Sequence, residues 1–556
     1  MAKHSRKKKR QPQVVPVAEI RAAAQSSPFP WKCFLAQVAV IVVTGLWIFW
    51  PALHGNWLWD DDELITRNQS IHGMDGLWKI WFEPLDQTDF FPLKVSVEWL
   101  EWQLWQSDTF GYHLVNVVLH ILNALLVWRL LGKFGLRFAW LGGLIFLVHP
   151  VVVESVAWIA ELKNTLSLPF FILAICAFLD YDDRRKWRDY LLALGFFLLA
   201  MLCKTSMVMF PFVILLHAWW KRGRIGWHDL KASVPFFILS LVLGLITVVF
   251  LTHHSIGRYG VEIGGYLSRF VIAGLSITFY FGKCILPIGL MPTYPKWVVD
   301  PPSPWQFLPW PILVGVLYGL WTKRATWGRH ALFGLGFFLI NLAPFVGSFT
   351  GSYMRFTWVM DHFLYIPLIG LIGVAVAGME QIEKELTPTA RRVGIGVVTV
   401  TLALMAWGSH AYAGLYVDQQ TLSTYTVESN PRALPARQSL GDIFLAEGRL
   451  EDAIDQYQQV LKIDPDYIDT HCNMGIAYYR LGRIPEAIEH YEYVLKIHPS
   501  DPETNGNLGV ALLQTGHTQE AIEHLQKALQ IDPDLPGVRK ILGEALQQQA
   551  ASPPAK

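Results

Sequence analysis

The sequence predicts an all-α chain, a polytopic bundle of membrane helices followed by a soluble solenoid of helical hairpins. Three observations carry that expectation. Of 556 residues, 52% are hydrophobic and only 16% charged, where an ordinary soluble chain carries roughly 25% charged residues. Apolar runs long enough to cross a bilayer recur from about Trp31 to Tyr416, whereas everything after Asn430 is polar and amphipathic. That tail repeats itself every 34 residues. Lipid is therefore the solvent of most of the chain, and at least two domains follow.

The first element is a basic tail, residues 1–30, whose opening holds Lys3, Arg6, Lys7, Lys8, Lys9 and Arg10. Ahead of a first apolar run near Cys33, such a cluster reads as a signal that keeps the N-terminus in the cytosol. The net charge of +1 gives no global field toward nucleic acid. The five cysteines show neither C-x-x-C nor metal-ligand spacing, so no disulfide framework or zinc site is expected. No cofactor and no metal ligand are assigned, and divalent-metal dependence is left open.

Spans are expected to begin near Cys33, Tyr112, Phe138 and Asn164. The run from Tyr190 to Trp220 is too long for one crossing and is broken by Lys204-Thr205-Ser206, so it reads as two short spans. Further spans begin near Ala232, Tyr266, Trp305, Ala331, Phe363 and Val393. Lys133 and Arg137, then Arg184 to Arg188, then Lys221, Arg222 and Arg224 mark one side as cytosolic. The late basic loops, with Lys323, Arg324 and Arg329 and then Lys384, Arg391 and Arg392, share that side only if one segment fails to cross. Tyr266 to Leu290, with Arg269, Lys283 and several glycines, is the segment expected to be re-entrant or interfacial. About eleven spans then remain across 31–416, and the C-terminus lies on the far side. That side is the periplasm for a bacterial inner membrane, or the lumen of the endoplasmic reticulum.

The first outer loop, 56–111, sets Trp78 and Trp81, then Trp99, Trp102 and Trp105, at helical spacing, the pattern of interfacial helices. After the last span a connecting helix is expected over 417–433. Beyond it Leu440-Gly441, Phe444, Ala453, Tyr457 and Pro465 recur as Met474-Gly475, Tyr478, Ala487, Tyr491 and Pro499, and again as Leu508-Gly509, Leu512, Ala521, Leu525 and Pro533. Small residues at a helix crossing, large ones on the packing face and a closing proline are the signature of tetratricopeptide repeats. They are placed at 434–467, 468–501 and 502–535, with a cap at 536–550.

Four groups of polar residues stand out against this background. Asp60-Asp61-Asp62-Glu63 follows the first span inside W-L-W-D-D-D-E-L-I. A charge run is usually a solvated face, but repulsion among carboxylates at a low-dielectric boundary calls for a cation, a partner or proton transfer. His113, Asn116, His120 and Asn123 form a stripe on one helix, suited either to interhelical hydrogen bonds or to a site. His149, Glu154, Glu161 and Lys163 cluster at the end of the third span, and Lys204 is placed at the same depth. Arg355, Asp361 and His362 precede the Phe363 span. Acid at one end and cations around it suit transfer of a group from a phosphate leaving group.

These motifs carry a resemblance. W-D-D-D-E-L-I, G-Y-H-L-V-N-V-V-L-H-I-L-N-A-L-L, and L-V-H-P-V-V-V-E-S-V-A-W-I-A-E-L-K-N-T-L-S, followed by helical repeats, are similar to the transmembrane and tetratricopeptide-repeat protein O-mannosyltransferases and their bacterial relatives. The later M-D-H-F-L-Y-I-P matches more loosely. The resemblance implies a type C glycosyltransferase fold, a polyprenyl-phosphate sugar donor, an acceptor hydroxyl on the outer side, and an acidic first-loop pair for catalysis, here Asp60 and Asp61. Relatives usually carry arginine where this chain has His362, and Arg355 is the alternative cation.

The reading is an inverting transfer of mannose or a related sugar to protein Ser or Thr, with Asp60 or Asp61 as base. Lys204, Arg355 and His362 would sit at the donor phosphate, and His113, His149, Glu154, Glu161 and Asp361 would be polar groups of the site. The partners expected are the lipid donor, a protein or peptide acceptor held in the repeat groove, and membrane lipid, with no nucleic acid. A membrane-anchored scaffold for an envelope assembly, or a transporter of lipid-linked sugar, are the competing readings. The acid cluster argues against the first, and the gathering of charges at one surface rather than mid-bilayer argues against the second.

Overall fold

A computed structural model describes residues 31–83, 90–251, 263–347 and 352–551. The basic tail at 1–30 lies outside them. Among the described residues the elements are helices and helical turns, with no strand. The expected all-α class holds, with apolar helices first and tetratricopeptide hairpins last.

Five described helices are long and apolar enough to cross a membrane: Trp31–Phe49, Thr109–Lys133, Ile159–Arg184, Trp227–Phe250 and Pro388–Val417. A sixth crossing arises if Ala139–Val148 and Pro150–Ala157, bent by 58°, form one broken span. The other apolar helices of the bundle, such as Trp187–Cys203, Phe210–Arg222, Pro309–Thr322, Gly328–Leu342 and Leu368–Glu383, are shorter. The run after Tyr190 does divide at Lys204, whose extended backbone separates helix Trp187–Cys203 from a 3-10 turn, Thr205–Met209, and helix Phe210–Arg222.

Ion pairs show which loops share an end of the bundle. Lys133 pairs with Asp180 at 2.7 Å, while Arg185, Lys221 and Arg222 converge on Asp182 at 3.1, 2.7 and 2.9 Å. Glu383 receives both Arg137 and Arg391, and Trp220 Nε1 donates to His330 Nδ1 at 3.0 Å. The early and late basic loops therefore lie together. Helix Tyr266–Ile285 is held near both of its ends. Trp310, at the start of helix Pro309–Thr322, donates to Phe270 O at 3.0 Å, and His149 Nε2 is 3.0 Å from Cys284 O.

The loop expected to lie outside holds helices Gly76–Phe82 and Pro92–Trp105. Trp78, Trp81, Phe82, Leu100 and Leu104 are exposed on them, an apolar face suited to the headgroup region.

The tail stacks three hairpins, Leu434–Ala446 with Leu450–Ile463, Ile468–Arg480 with Ile484–Ile497, and Pro502–Gln514 with Thr518–Ile531, and ends in Val538–Ala551. The repeating small residue has a steric cause. A Cβ on Gly441 or Gly475 would stand 2.3 or 2.4 Å from the ring of Tyr457 or Tyr491, so only glycine lets the second helix lay its aromatic across the first. Each hairpin turns on a left-handed glycine, Gly448, Gly482 and Gly516 at φ 78°, 77° and 83°, the usual way to stop a helix without a Cβ clash.

Candidate active site

The acidic turn is built by its backbone. Trp59 has φ 44°, and the chain then enters a π-helical turn, Asp62–Thr66. The two leading aspartates part company here. Asp61 is fully buried, and its carboxylate accepts from Leu58 N at 2.9 Å and from Ala160 N at 2.8 Å. Burial pushes its carboxyl well above the usual range, against the pull of those two amides. Asp60 is exposed beside it, as are Asp62 and Glu63. Asp61 is thereby the clasp that fixes the turn to the Trp158–Glu161 segment, while Asp60 faces outward from it.

The amide that holds Asp61 belongs to the residue before Glu161. Glu161 pairs with Lys163 at 3.0 Å and accepts from Asn164 Nδ2, and Lys204 Nζ donates to Asn164 Oδ1. His362 lies between two carboxylates. Its Nδ1 is 3.0 Å from Glu154 Oε1, its amide is 3.2 Å from Glu154 Oε2, and its Nε2 is 3.8 Å from Glu161 Oε1. Glu154, Glu161, His362 and Lys204 are all buried. A small cavity opens beside them, with Asn164, Lys204, Ser206, Asn341 and His362 on its polar side and Phe345 and Phe363 on its apolar side. Lys204 Nζ sits 5.6 Å above the Phe345 ring. Cations beside aromatic rings suit an amphiphile with a phosphate head.

Asp361 is buried next to His362 and accepts from the Tyr294 hydroxyl at 2.9 Å. Burial and the neighbouring charge of Glu154 hold its carboxyl well above the usual range. Tyr294 comes from the loop that follows helix Tyr266–Ile285, so that loop packs against the turn that carries Asp361.

Three of the residues named from the sequence make contacts with groups other than these. His149 spans Cys284 O and the Val151 amide, at 3.0 and 3.4 Å, and so ties two helix ends together. His113 packs on Gly55, where a Cβ would lie 3.1 Å from its Nε2. Arg355 lies at the repeat domain, 3.1 Å from Asp464 and with its guanidinium carbon 4.6 Å from the Tyr467 ring centroid. The rest of the polar stripe is interhelical. Asn116 accepts from Thr165 Oγ1 at 2.5 Å, His120 meets the Tyr365 hydroxyl at 2.9 Å, and Asn123 donates to Thr165 O at 2.8 Å.

Sequence reasoning passed over Lys94, Glu98 and Glu101, all buried on helix Pro92–Trp105, with Lys94 and Glu98 paired at 2.8 Å. Their spacing of four and then three residues along F-P-L-K-V-S-V-E-W-L-E is the signal that marks one helix face. Among the described residues no three or more His, Cys, Asp or Glu side chains surround a common ion position.

Comparison with known proteins agrees with the resemblance. Residues 95–253 match the dolichyl-phosphate-mannose-protein mannosyltransferase family, and residues 441–482 and 472–536 match tetratricopeptide-repeat families. The protein O-mannosyl-transferase Tmtc3 of Drosophila melanogaster is 21% identical over 84% of this chain and 58% of its own length. The TMTC3 proteins of Mus musculus and Homo sapiens are each 22% identical over 79% of this chain, and over 52% and 53% of theirs. The chain spans about half the length of these curated relatives. It joins a segment similar to that mannosyltransferase family, and several helices apolar and long enough to cross a membrane, to tetratricopeptide repeats.

Proposed function

We propose that the chain transfers mannose from a polyprenyl-phosphate donor to a serine or threonine hydroxyl of a protein, on the face of the membrane opposite the basic loops. The observation that carries this reading is the junction of the acidic turn and the buried Glu154, Glu161, His362 and Lys204 cluster through one backbone contact, Ala160 N to Asp61. The family match at 95–253 and the repeats behind it support the choice of sugar and of a protein acceptor.

In the proposed step Asp60 takes the proton of the acceptor hydroxyl as its oxygen attacks the anomeric carbon. The bond from that carbon to the phosphate oxygen breaks on the opposite side, its electron pair leaves with polyprenyl phosphate, and configuration inverts. Lys204 and Lys163, with His362 held by Glu154, stabilise the charge that develops on the departing phosphate. Asp61 acts through the turn. The lipid chain keeps the donor in the membrane, so the reaction belongs at the bilayer surface. In a bacterial cell the repeats would be periplasmic.

Purified chain in liposomes, supplied with polyprenyl-phosphate mannose, polyprenyl-phosphate glucose or a nucleotide-linked mannose and a Ser/Thr-rich peptide, tests this. Label is expected in peptide from the first donor only. Transfer from the nucleotide sugar alone would contradict the proposal.

A further inference from the structure

Trp59 occupies the left-handed region that bulky side chains rarely adopt, and such a backbone persists only where its surroundings over-determine it. Its indole meets Trp158 edge-on, with centroids 5.0 Å apart. Its amide donates to Gln419 Oε1 at 3.0 Å. Gln419 opens the helix Gln419–Ser429 that leads into the repeats. From the same side chain, Nε2 donates to Ser423 Oγ and to Ser439 Oγ, each at 3.1 Å. Ser439 belongs to the first repeat helix, Leu434–Ala446. The amide cannot be reversed without loss, because only its oxygen can face the Trp59 N–H. Next to this chain of bonds, Asn56 N donates to Val417 O at 2.8 Å.

We infer that Gln419 is a positioning residue that links the first repeat, through Ser439, to the Trp59 turn and so sets the placement of Asp60. Protein engaged by the repeats is thereby coupled to the geometry of the base. This rests on the reading of Asp60 given above. Other contacts between the repeat side and the membrane domain avoid the acidic turn. Asn430 Nδ2 donates to Thr293 O at 3.0 Å, and Tyr425 OH to Leu290 O at 2.7 Å. They provide controls for docking alone.

The test uses full-length chain in liposomes with polyprenyl-phosphate mannose and peptide, and measures hydrogen exchange of the 55–61 backbone in parallel. Gln419→Leu should lower kcat about tenfold and Ser439→Ala about threefold, with KM for the lipid donor unchanged, as expected when a reacting group is misplaced rather than a ligand lost. The double variant should be no slower than Gln419→Leu, the mark of residues acting in one chain. Gln419→Glu, which keeps an oxygen for the Trp59 amide and accepts from both serine hydroxyls, should restore most of the rate. Exchange at 55–61 should rise in Gln419→Leu and Ser439→Ala and not in Asn430→Ala. Unchanged exchange, or an equal loss of kcat in Asn430→Ala, would overturn the inference. If exchange shifts as stated while wild-type chain transfers no mannose, the link stands and the proposed activity fails.

Discussion

Nδ1 of His362 lies 3.0 Å from Oε1 of Glu154, across 208 residues of sequence, and the His362 amide reaches the second oxygen of the same carboxylate at 3.2 Å. One buried side chain thus holds both the ring and the backbone of His362. Glu154 thereby fixes Nδ1 and leaves Nε2 facing Glu161, 3.8 Å away.

Removing that acceptor exposes the dependence. Glu154→Gln keeps an oxygen for one donor only, and a lost hydrogen bond to a charged group in a buried site costs about 3 kcal/mol. Transfer and the thermal midpoint should both fall. His362→Ala should lose transfer, whereas His362→Arg, whose guanidinium spans the same two carboxylates, should keep a large part of it. Equal activity in His362→Ala and wild type would remove His362 from the site.

Asp61→Asn should fail by a different route. Its carboxylate accepts two backbone amides, and an asparagine must turn its NH₂ toward one of them, leaving a buried donor unpaired at about 1–3 kcal/mol. Lower yield, a lower midpoint and faster hydrogen exchange around Leu58 and Ala160 are expected along with the loss of activity. A variant as stable as wild type yet inactive would make Asp61 a direct participant.

Glu101 gives a pH dependence. Among the described residues neither of its carboxylate oxygens has a hydrogen-bond partner. Burial, then the charge of Glu98, hold its carboxyl well above the usual range, with Lys94 opposing. A carboxyl raised on folding binds its proton more tightly in the folded state, so its stabilising contribution is complete below the unfolded value of about 4.3. It is lost as pH rises toward the raised folded value. Glu101→Gln removes this dependence. Midpoints of wild type and variant, followed from about pH 5 to 8, should diverge in favour of the variant as pH rises. A gap that narrows instead would mean that Glu101 is ionised and paired.

The parts of this molecule that could be read from its sequence are those with local periodicity. Gly441 and Tyr457, with their 34-residue copies, are legible because each hairpin solves the same crossing with the same residues. The break at Lys204 is legible because charge interrupts an apolar run. Arg355 is not. Its partner Asp464 is 109 residues away, and a cation looks the same in sequence whether it faces a phosphate or a neighbouring domain. The stripe from His113 to Asn123 was ambiguous for the same reason, since Thr165 and Tyr365 decide the roles of Asn116, His120 and Asn123 from other helices. Asp60 and Asp61 are adjacent and chemically alike, and only the two amides that meet Asp61 separate a clasp from the proposed base.

That separation is tested most directly by Asp60→Asn. The side chain is exposed, so the change should leave the midpoint within about 0.5 kcal/mol of wild type, and binding of polyprenyl-phosphate mannose should be retained. Transfer of tritiated mannose to a Ser/Thr peptide should fall by about 10² or more, the contribution of a general base. Full turnover in Asp60→Asn, with wild-type stability and donor affinity, would contradict the account at its centre.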